Sequence, residues 1–575
     1  MSGDLLDSRI SDLLGSTASA DDRAAPPVRV PVPTSTGGVT QPSAMGGFEG
    51  ANRFDEAMAL WGPPMQSADA DVLPDKNIGD ARSRDMLRND AYVQGAANLH
   101  KDNIVGSQFL LNARPTTRVI WGKQDDVWEE EFQQEVEELF DLYSDSPDNW
   151  IDASRRNNFT GLVRLAVGVH LAGGETLATV EWDKSAGGGF KTSIQMVDID
   201  RLSTPEDMRF TDADIRGGIR FDARGAPQTY YIRTEHPNDV RTNGLYKLPR
   251  WKPVMARKPW GRLQVIHILE QMRPDQSRGF SDMMASLKAM HIGHKWRDIN
   301  LQHALTQSIY AAAITSDLPS EQVFAQLGGG EVTADGAQKA VTQYAQGYLG
   351  AIAAYSGASK NLHIDGVKIP HLFPGTKLEL LSPGKGGPLG TEFEQSLLRY
   401  IAASVGVSYE QLSRDYTNTN YSSARAAMNE TWKFMQARKK IVADRFASAM
   451  YRLWLEEAIN QNMLSTLPAR KAGMFYTNDM LNLKFDAVSR ADWIGAARGQ
   501  IDELKETEAA VLRIEKGLST QEDELAKLGK DWRKVNRQLK REQDLREDLG
   551  LRLGEGATRN DSYATDDERQ EARAA

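Results

Sequence analysis

The chain has 575 residues, with 69 Lys and Arg against 79 Asp and Glu, a net charge of -10 and no cysteine. That balance argues against tight, salt-dependent DNA binding by bulk phosphate neutralisation, and the missing cysteine excludes disulfides, zinc knuckles, iron–sulfur clusters and thiol nucleophiles. At roughly 100 to 200 residues per domain the length allows three or four structural units, and no window approaches the roughly 18 consecutive apolar residues of a spanning helix.

The first residues, "MSGDLLDSRI", are acidic where a secretory signal would be basic, so a soluble protein matured in a reducing cytoplasm is expected. Residues 20 to 50 combine Pro, Gly, Ser and Thr with almost no large apolar side chains. Such a stretch cannot bury enough surface to offset its ordering entropy, and the composition predicts an unfolded arm. The last twenty residues are equally poor in core residues. In 81–106, Met86, Val93, Ala97 and Ile104 recur at roughly helical spacing up to Gly106. Further amphipathic helices are expected over 125–143 and 157–172. The segments "TLATVEW", "TSIQMVDI", "GGIRFDARGAPQTYYIR" and "LQVIHILE" read as strands between turn signals, which makes the first half α+β.

From Ser281 a helix of about 35 residues is expected. A Gly/Pro-bounded insert with a short strand follows, then a helix from near Thr391 to about Val405. Two helices bracketing a compact insert suggest an αα stalk with a small module at its tip. Next comes "DYTNTNYSS" at 415–423, too polar for a core, leading into about forty residues without Pro or Gly. Over 422–462, Ala424, Met428, Met435, Val442, Phe446, Met450 and Leu453 place one apolar face on a packed helix. Charged helices are expected over 489–516 and 519–549, with Thr520 and Asp523 at capping-box spacing.

Catalytic signatures are sparse. No GxxxxGK[ST], GxSxG, HExxH or GxGxxG occurs, and "GGGFKTS" puts Phe190 between Gly189 and Lys191. His291, His294 and Asp298, at three- and four-residue spacing, could present two imidazoles and a carboxylate to iron or zinc. The plainer reading is a solvated helix face, since Lys288, Lys295 and Arg297 nearby disfavour a cation. Asp198 and Asp200 would share one face of a strand as a paired-carboxylate site, though a strand ending at a turn carries such pairs for solubility too. No cofactor is called for. The basic residues of "FMQARKKIVADR" are a weak nucleic-acid signal beside Asp444.

Taken together, "SRDMLRNDAYVQGAANLHKDNIVGSQF" (83–109), "GETLATVEW" (174–182), "IQMVDIDRLSTPED" (194–207), "GIRFDARGAPQTYYI" (218–232), "VIHILEQMRPDQSRGFS" (265–281) and, most specifically, "GVSYEQLSRDYTNTNYSSARAAMNETW" (406–432) resemble the lambda-type portal proteins of tailed phages. The resemblance implies an α+β portal fold: an α/β wing, a two-helix stem, a small β-containing clip and a helical crown in a ring-shaped homo-oligomer. Its parts would be a flexible arm at 1–79, wing 80–278, first stem helix 279–316, clip 317–387, second stem helix 388–410, tunnel loop 411–423, long wing helix and connection 424–484, crown 485–550 and flexible tail 551–575.

It also implies a homo-dodecamer at a unique capsid vertex, through which double-stranded DNA is packaged and ejected. The implied partners are the terminase large subunit, head-completion or adaptor proteins, and the major capsid and scaffold proteins, with no membrane. The implied places are the virion and, during assembly, the host cytoplasm. No catalytic residue is implied. Asp415, Tyr416, Thr417, Asn418, Thr419, Asn420 and Tyr421 would form the loop in the DNA channel. Lysines there would hold phosphates, whereas neutral hydroxyls and amides exchange water-like hydrogen bonds, so a sliding collar is expected. Two alternatives remain: a metal-dependent nuclease or hydrolase using His291, His294 and Asp298, or a structural adaptor without a channel.

Overall fold

The computed structural model describes residues 60–184, 189–237, 249–309, 391–417, 419–467, 473–475, 483–499 and 502–549, with short strands at 241–242, 245–246, 362–364 and 367–369. The chain divides into Met1–Met65 and Gln66–Ala575, and all that follows concerns the second unit. The sequence expectations for residues 20–50, for the insert around 317–361 and for the last twenty residues lie outside the described residues.

The unit mixes helix and sheet. In chain order come α1 (Ala68–Asn89), α2 (Ala91–Ile104), β1 (Leu110–Ala113), α3 (Thr117–Trp121), α4 (Asp126–Ser144), α5 (Phe159–Gly173), β2 (Glu175–Trp182) and β3 (Thr192–Val197). Then follow β4 (Ile215–Arg216), β5 (Ile219–Phe221), β6 (Pro227–Arg233), β7 (Arg241–Thr242), β8 (Leu245–Tyr246), β9 (Trp251–Met255), β10 (Val265–Leu269), α6 (Leu287–Ile309), β11 (Leu362–Ile364) and β12 (Val367–Ile369). The rest is α7 (Thr391–Val405), α8 (Tyr409–Ser413), α9 (Tyr421–Arg438), a π-helical turn (Lys439–Ala443), α10 (Asp444–Asn460), α11 (Lys484–Val488), β13 (Ala491–Ile494), α12 (Glu503–Glu515), α13 (Gln521–Lys527) and α14 (Trp532–Asp548).

Local chemistry sets the boundaries. Asp125 and Asn158 accept from backbone N–H groups of the first turns of α4 and α5, and Gly122 and Gly174 end α3 and α5 in the left-handed conformation. The helix expected over 81–106 is two. Asp90 stops α1 and caps α2, its carboxylate accepting from the N–H groups of Tyr92 and Val93. α1 also begins at Ala68, so residues 68–79, expected as part of a flexible arm, are helical and include the buried Lys76.

A three-stranded antiparallel sheet, β10-β2-β3, lies beside the four-stranded β4-β5-β6-β9, with Leu202 bridging to Ile232. β2 has buried residues on both of its faces over Glu175–Val180, as a strand covered on two sides must. The main core joins α4, α5, α10 and β13 through Phe140, Phe159, Tyr451, Trp454 and Trp493, with edge-on pairs such as Phe140–Trp454 at 5.2 Å. β13 was expected as helix. It is a strand because it completes an antiparallel ladder with β1, Leu110 opposite Ile494, which ties the two ends of the described fold together.

The 35-residue helix expected from Ser281 starts with a 3₁₀ turn, Asp282–Ala285, capped by Ser281, and α6 follows as far as it is described. α6 and α7 run antiparallel: Ser286 meets Ser404 at 2.6 Å, Gly293 faces Leu397 and Trp296 lies 6.0 Å from Phe393. A Cβ at Gly293 would come within 2.7 Å of Leu397 Cδ2, so the glycine permits the close helix approach. The region expected as two charged helices after 489 is β13 followed by three helices, since Gly529 breaks the second at a positive φ.

Candidate channel loop

α8 is held by a capping box, Ser408 with Gln411, and ends at Arg414, whose φ of 60° turns the chain sharply. Asp415 then folds the loop. Its Oδ1 accepts from the Thr417 hydroxyl at 2.6 Å and from the Thr417 N–H at 3.1 Å, and those two donors hold its carboxyl below the usual range. Thr419 N–H donates to the Tyr416 carbonyl, and Asn420 caps α9 by accepting from Ser423 N–H at 2.8 Å. Tyr416 and Tyr421 are half-exposed, Thr417 and Asn420 are exposed and Thr419 is partly covered. Asn418 lies outside the described residues.

The geometry refines the side-chain roles. Thr417 and Asn420, which the sequence reading assigns to water-like hydrogen bonds with passing phosphates, shape the turn here, and Asp415 is its organiser. The sequence pattern missed the flanking cations. Arg425, Arg498 and Glu506 line a cavity of about 100 Å³ beside α9 with Asn103, Gln411 and Trp432. Arg498 donates to Asn429. Lys505 pairs with Asp502 at 3.0 Å.

A second junction anchors both chain segments that lead into and out of the loop. His100 donates from Nε2 to the Val405 carbonyl at the end of α7, at 2.8 Å, and sits edge-on to Phe434 of α9. Gly406, at φ 69°, lies against the same ring. Arg438, at the start of the π turn, pairs with Glu270 and Asp282, each at 2.7 Å. Burial pushes His100 down to about 4 and His170, behind it, to about 3, with Arg438 adding repulsion. Both imidazoles are neutral near pH 7.

A buried charge network lies deeper in the wall, and nothing in the residue pattern announced it. Glu175 accepts from Arg278 Nε at 2.7 Å, His267 at 3.1 Å and Gly279 N–H at 2.8 Å, and pairs with Lys76 at 3.1 Å. Burial opposes its charge, yet Arg278, Lys76 and His267 hold the carboxyl well below the usual range. Asp80, 2.9 Å from Lys76, is pushed up to about 6 by burial. Arg278 also donates to the carbonyls of Ile199, Leu202 and Gly217, so the network fixes the approach to α6.

The candidate set His291, His294 and Asp298 does not assemble. His294 lies 3.6 Å from Asp298 and 3.8 Å from Asp90, which is already paired with Arg297, and His291 is exposed and does not join them. Asp198 and Asp200 are not on a strand: β3 ends at Val197, and Asp198 caps the 3₁₀ turn Ile199–Arg201. With His236 they come within reach of one point, but Arg84 occupies the acids, at 3.5 and 2.6 Å.

Residues 54–439 match the model of the phage portal protein, lambda family. The chain belongs to that family. It is 36% identical over 526 residues to the portal protein of Escherichia phage N15, covering 91% of this chain and 95% of that one. It is 35% identical over 528 residues to portal protein B of Escherichia phage lambda, covering 91% and 94%. A solved neck of a native gene transfer agent particle, computed with C12 symmetry, is similar over 80% of this chain and 99% of that one, at 12% identity and a TM-score of 0.33. The family match spans the loop, α9 and both buried junctions, so these lie in the portion shared with other lambda-family portal proteins.

Proposed function

We propose that the protein is the ring-forming subunit of a phage portal, a homo-dodecamer at a unique capsid vertex, and that the loop at 415–421 lines its channel as a collar past which double-stranded DNA slides. In this reading α6 and α7 are the stem. The insert between them is the clip that docks the terminase large subunit and later the head-completion proteins, and the outer surface meets the major capsid and scaffold proteins. The subunit is structural, assembled in the host cytoplasm and carried in the virion. Among the described residues no helix is long and apolar enough to cross a membrane.

One observation carries the loop assignment. A short, cation-free, hydroxyl- and amide-rich turn projects half-exposed tyrosines at the start of the helix that runs into the core. A clamp would need cations in the turn, because each phosphate neutralised steepens the salt dependence of binding. Asp415, the single charge within it, is anionic and internally hydrogen-bonded.

The test is to place cations there. Thr417→Lys with Thr419→Lys is expected to make ring–DNA affinity higher and more steeply salt-dependent, and to slow packaging and ejection. Unchanged salt dependence and unchanged packaging would show that the loop does not meet DNA.

A further inference from the structure

The four-stranded sheet has two open edges, β4 and β9. Its antiparallel order, β4-β5-β6-β9, puts the loop that enters β4 and the hairpin that leaves β9 at the same end. Among the described residues of this unit the two most exposed aromatic rings stand there, one at each edge: Phe210, 91% exposed, and Trp260, 69% exposed. Both sit on ordered turns. Gly261, at φ 93°, donates to the Lys258 carbonyl at 2.8 Å, and Lys258 N–H donates to the Arg262 carbonyl at 2.7 Å, closing a tight hairpin loop around Pro259 and Trp260. At the other edge the N–H groups of Thr211 and Asp212 donate to the Met208 carbonyl, and the Asp214 carbonyl accepts from Phe221 of β5 at 3.1 Å. Large rings held outward on fixed turns mark a contact surface.

The charges around the two rings are opposite. Residues 249–263 hold Arg250, Lys252, Arg257, Lys258 and Arg262 and no acid. Of the acids beside the hairpin base, Glu456 is paired with Arg262 at 2.7 Å, Asp183 with Arg155, and Glu181 accepts from the Thr179 hydroxyl. Lys252, Arg257 and Lys258 have no acidic partner among the described residues. Residues 205–214 hold Glu206, Asp207, Asp212 and Asp214 against Arg209 alone. Asp212 is paired with Arg220, so Glu206, Asp207 and Asp214 outnumber the one cation, which lies over the Phe210 ring. The β5–β6 turn between the edges adds one charge of each sign, Asp222 and Arg224. At about 4.8 Å per strand the two edges are about 14 Å apart, so a chain's hairpin does not neutralise its own acidic loop.

We propose that the basic hairpin of each copy, with Trp260 at its tip, docks on the acidic loop of the next, with Phe210 at its centre, as one subunit contact of the assembled ring. Complementary faces on opposite edges of one sheet give a head-to-tail contact, the kind that closes into a ring. Lys252 and Pro253 in the edge strand β9 oppose the addition of a further strand, so side chains make the contact. The contact rests on the ring reading of the portal but names faces that reading does not specify. Arg257 and Lys258 meet Glu206 and Asp207, and the two aromatic rings cover each other.

Charge exchange in the purified full chain tests it, with native mass spectrometry across a concentration series as the readout. Glu206→Lys with Asp207→Lys, and separately Arg257→Glu with Lys258→Glu, should each raise the concentration of half-assembly by about tenfold or more. Mixing the two variants should restore rings of even subunit number, because every hairpin then faces a loop of opposite sign. Rescue by mixing cannot come from misfolding. Rings that survive both reversals, or a mixture no better than its components, would overturn this contact while leaving the ring intact. A hairpin variant that assembles normally but no longer shifts duplex DNA would assign the hairpin to nucleic acid and overturn the contact as well. A wild-type chain that stays monomeric would instead remove the ring reading and the contact with it.

Discussion

Glu175 is fully buried and draws Lys76, His267 and Arg278 around one carboxylate. Lys76, Glu175 and the pair His267 and Arg278 come from three separate stretches of chain, and the one local clue, Lys76 four residues before Asp80, reads as an ordinary surface helix pair. Only the fold gathers them into a buried network. Glu175→Gln would leave Lys76 and Arg278 buried beside a neutral amide, at a cost of about 3–5 kcal/mol. Urea denaturation checks this, and a loss below about 1 kcal/mol would contradict the network's role.

The buried imidazoles give one part of the pH dependence. Because His100 and His170 titrate lower folded than the ordinary 6.5, the unfolded chain binds their protons first. Their contribution is present above pH 6.5 and is lost as pH falls through about 4 and about 3. Burial raises Asp80 to about 6 and Glu137 to about 7, and these acids act in the opposite sense over the same range, so the histidine contribution is read by difference: relative to the wild type, His170→Leu should gain stability as pH falls from 7 to 5. An unaltered slope in the variant would show that His170 is not the group responsible. The loop residues were legible for the opposite reason: a polar run between helical patterns has no burial to explain it.

The elements were read best where local signals agreed. α4, α5 and α7 fall within about two residues of the expected ranges because amphipathic spacing and capping groups coincide. β13 was not legible. It has four residues, and its partner β1 lies hundreds of positions earlier. The π turn was equally hidden, since Lys439–Ala443 continue the apolar spacing that a regular helix would show. It lets Arg438 reach Glu270 and Asp282 while Phe446, Tyr451 and Trp454 stay in the core.

The link between α7 and α9 is testable at Gly406. A Cβ there would meet the Phe434 ring at 2.4 Å, on a backbone at positive φ. Gly406→Ala should therefore cost about 1–3 kcal/mol. Phe434→Ala in the same chain should recover the steric part but not the backbone part, so a double-mutant cycle should show coupling. Additive losses would mean that ring and loop entry are not in contact.

At the scale of the whole molecule, the α+β class and the paired long helices were visible in the alternation of patterns. The two-unit division near residue 65 was not, because α1 opens with polar residues and Pro74 that resemble the preceding stretch. Subunit number cannot be written in one chain's hydrophobic pattern. It is set by the angle between neighbouring faces.

Whether a cation-free loop borders a channel on a symmetry axis is read most directly from a density map of the purified full-length assembly. A closed ring with residues 415–421 at its narrowest bore and the Tyr416 and Tyr421 rings turned toward the axis is the expected result. A ring in which those residues pack against the outer flank of a neighbour, or an assembly with no central opening, would contradict it.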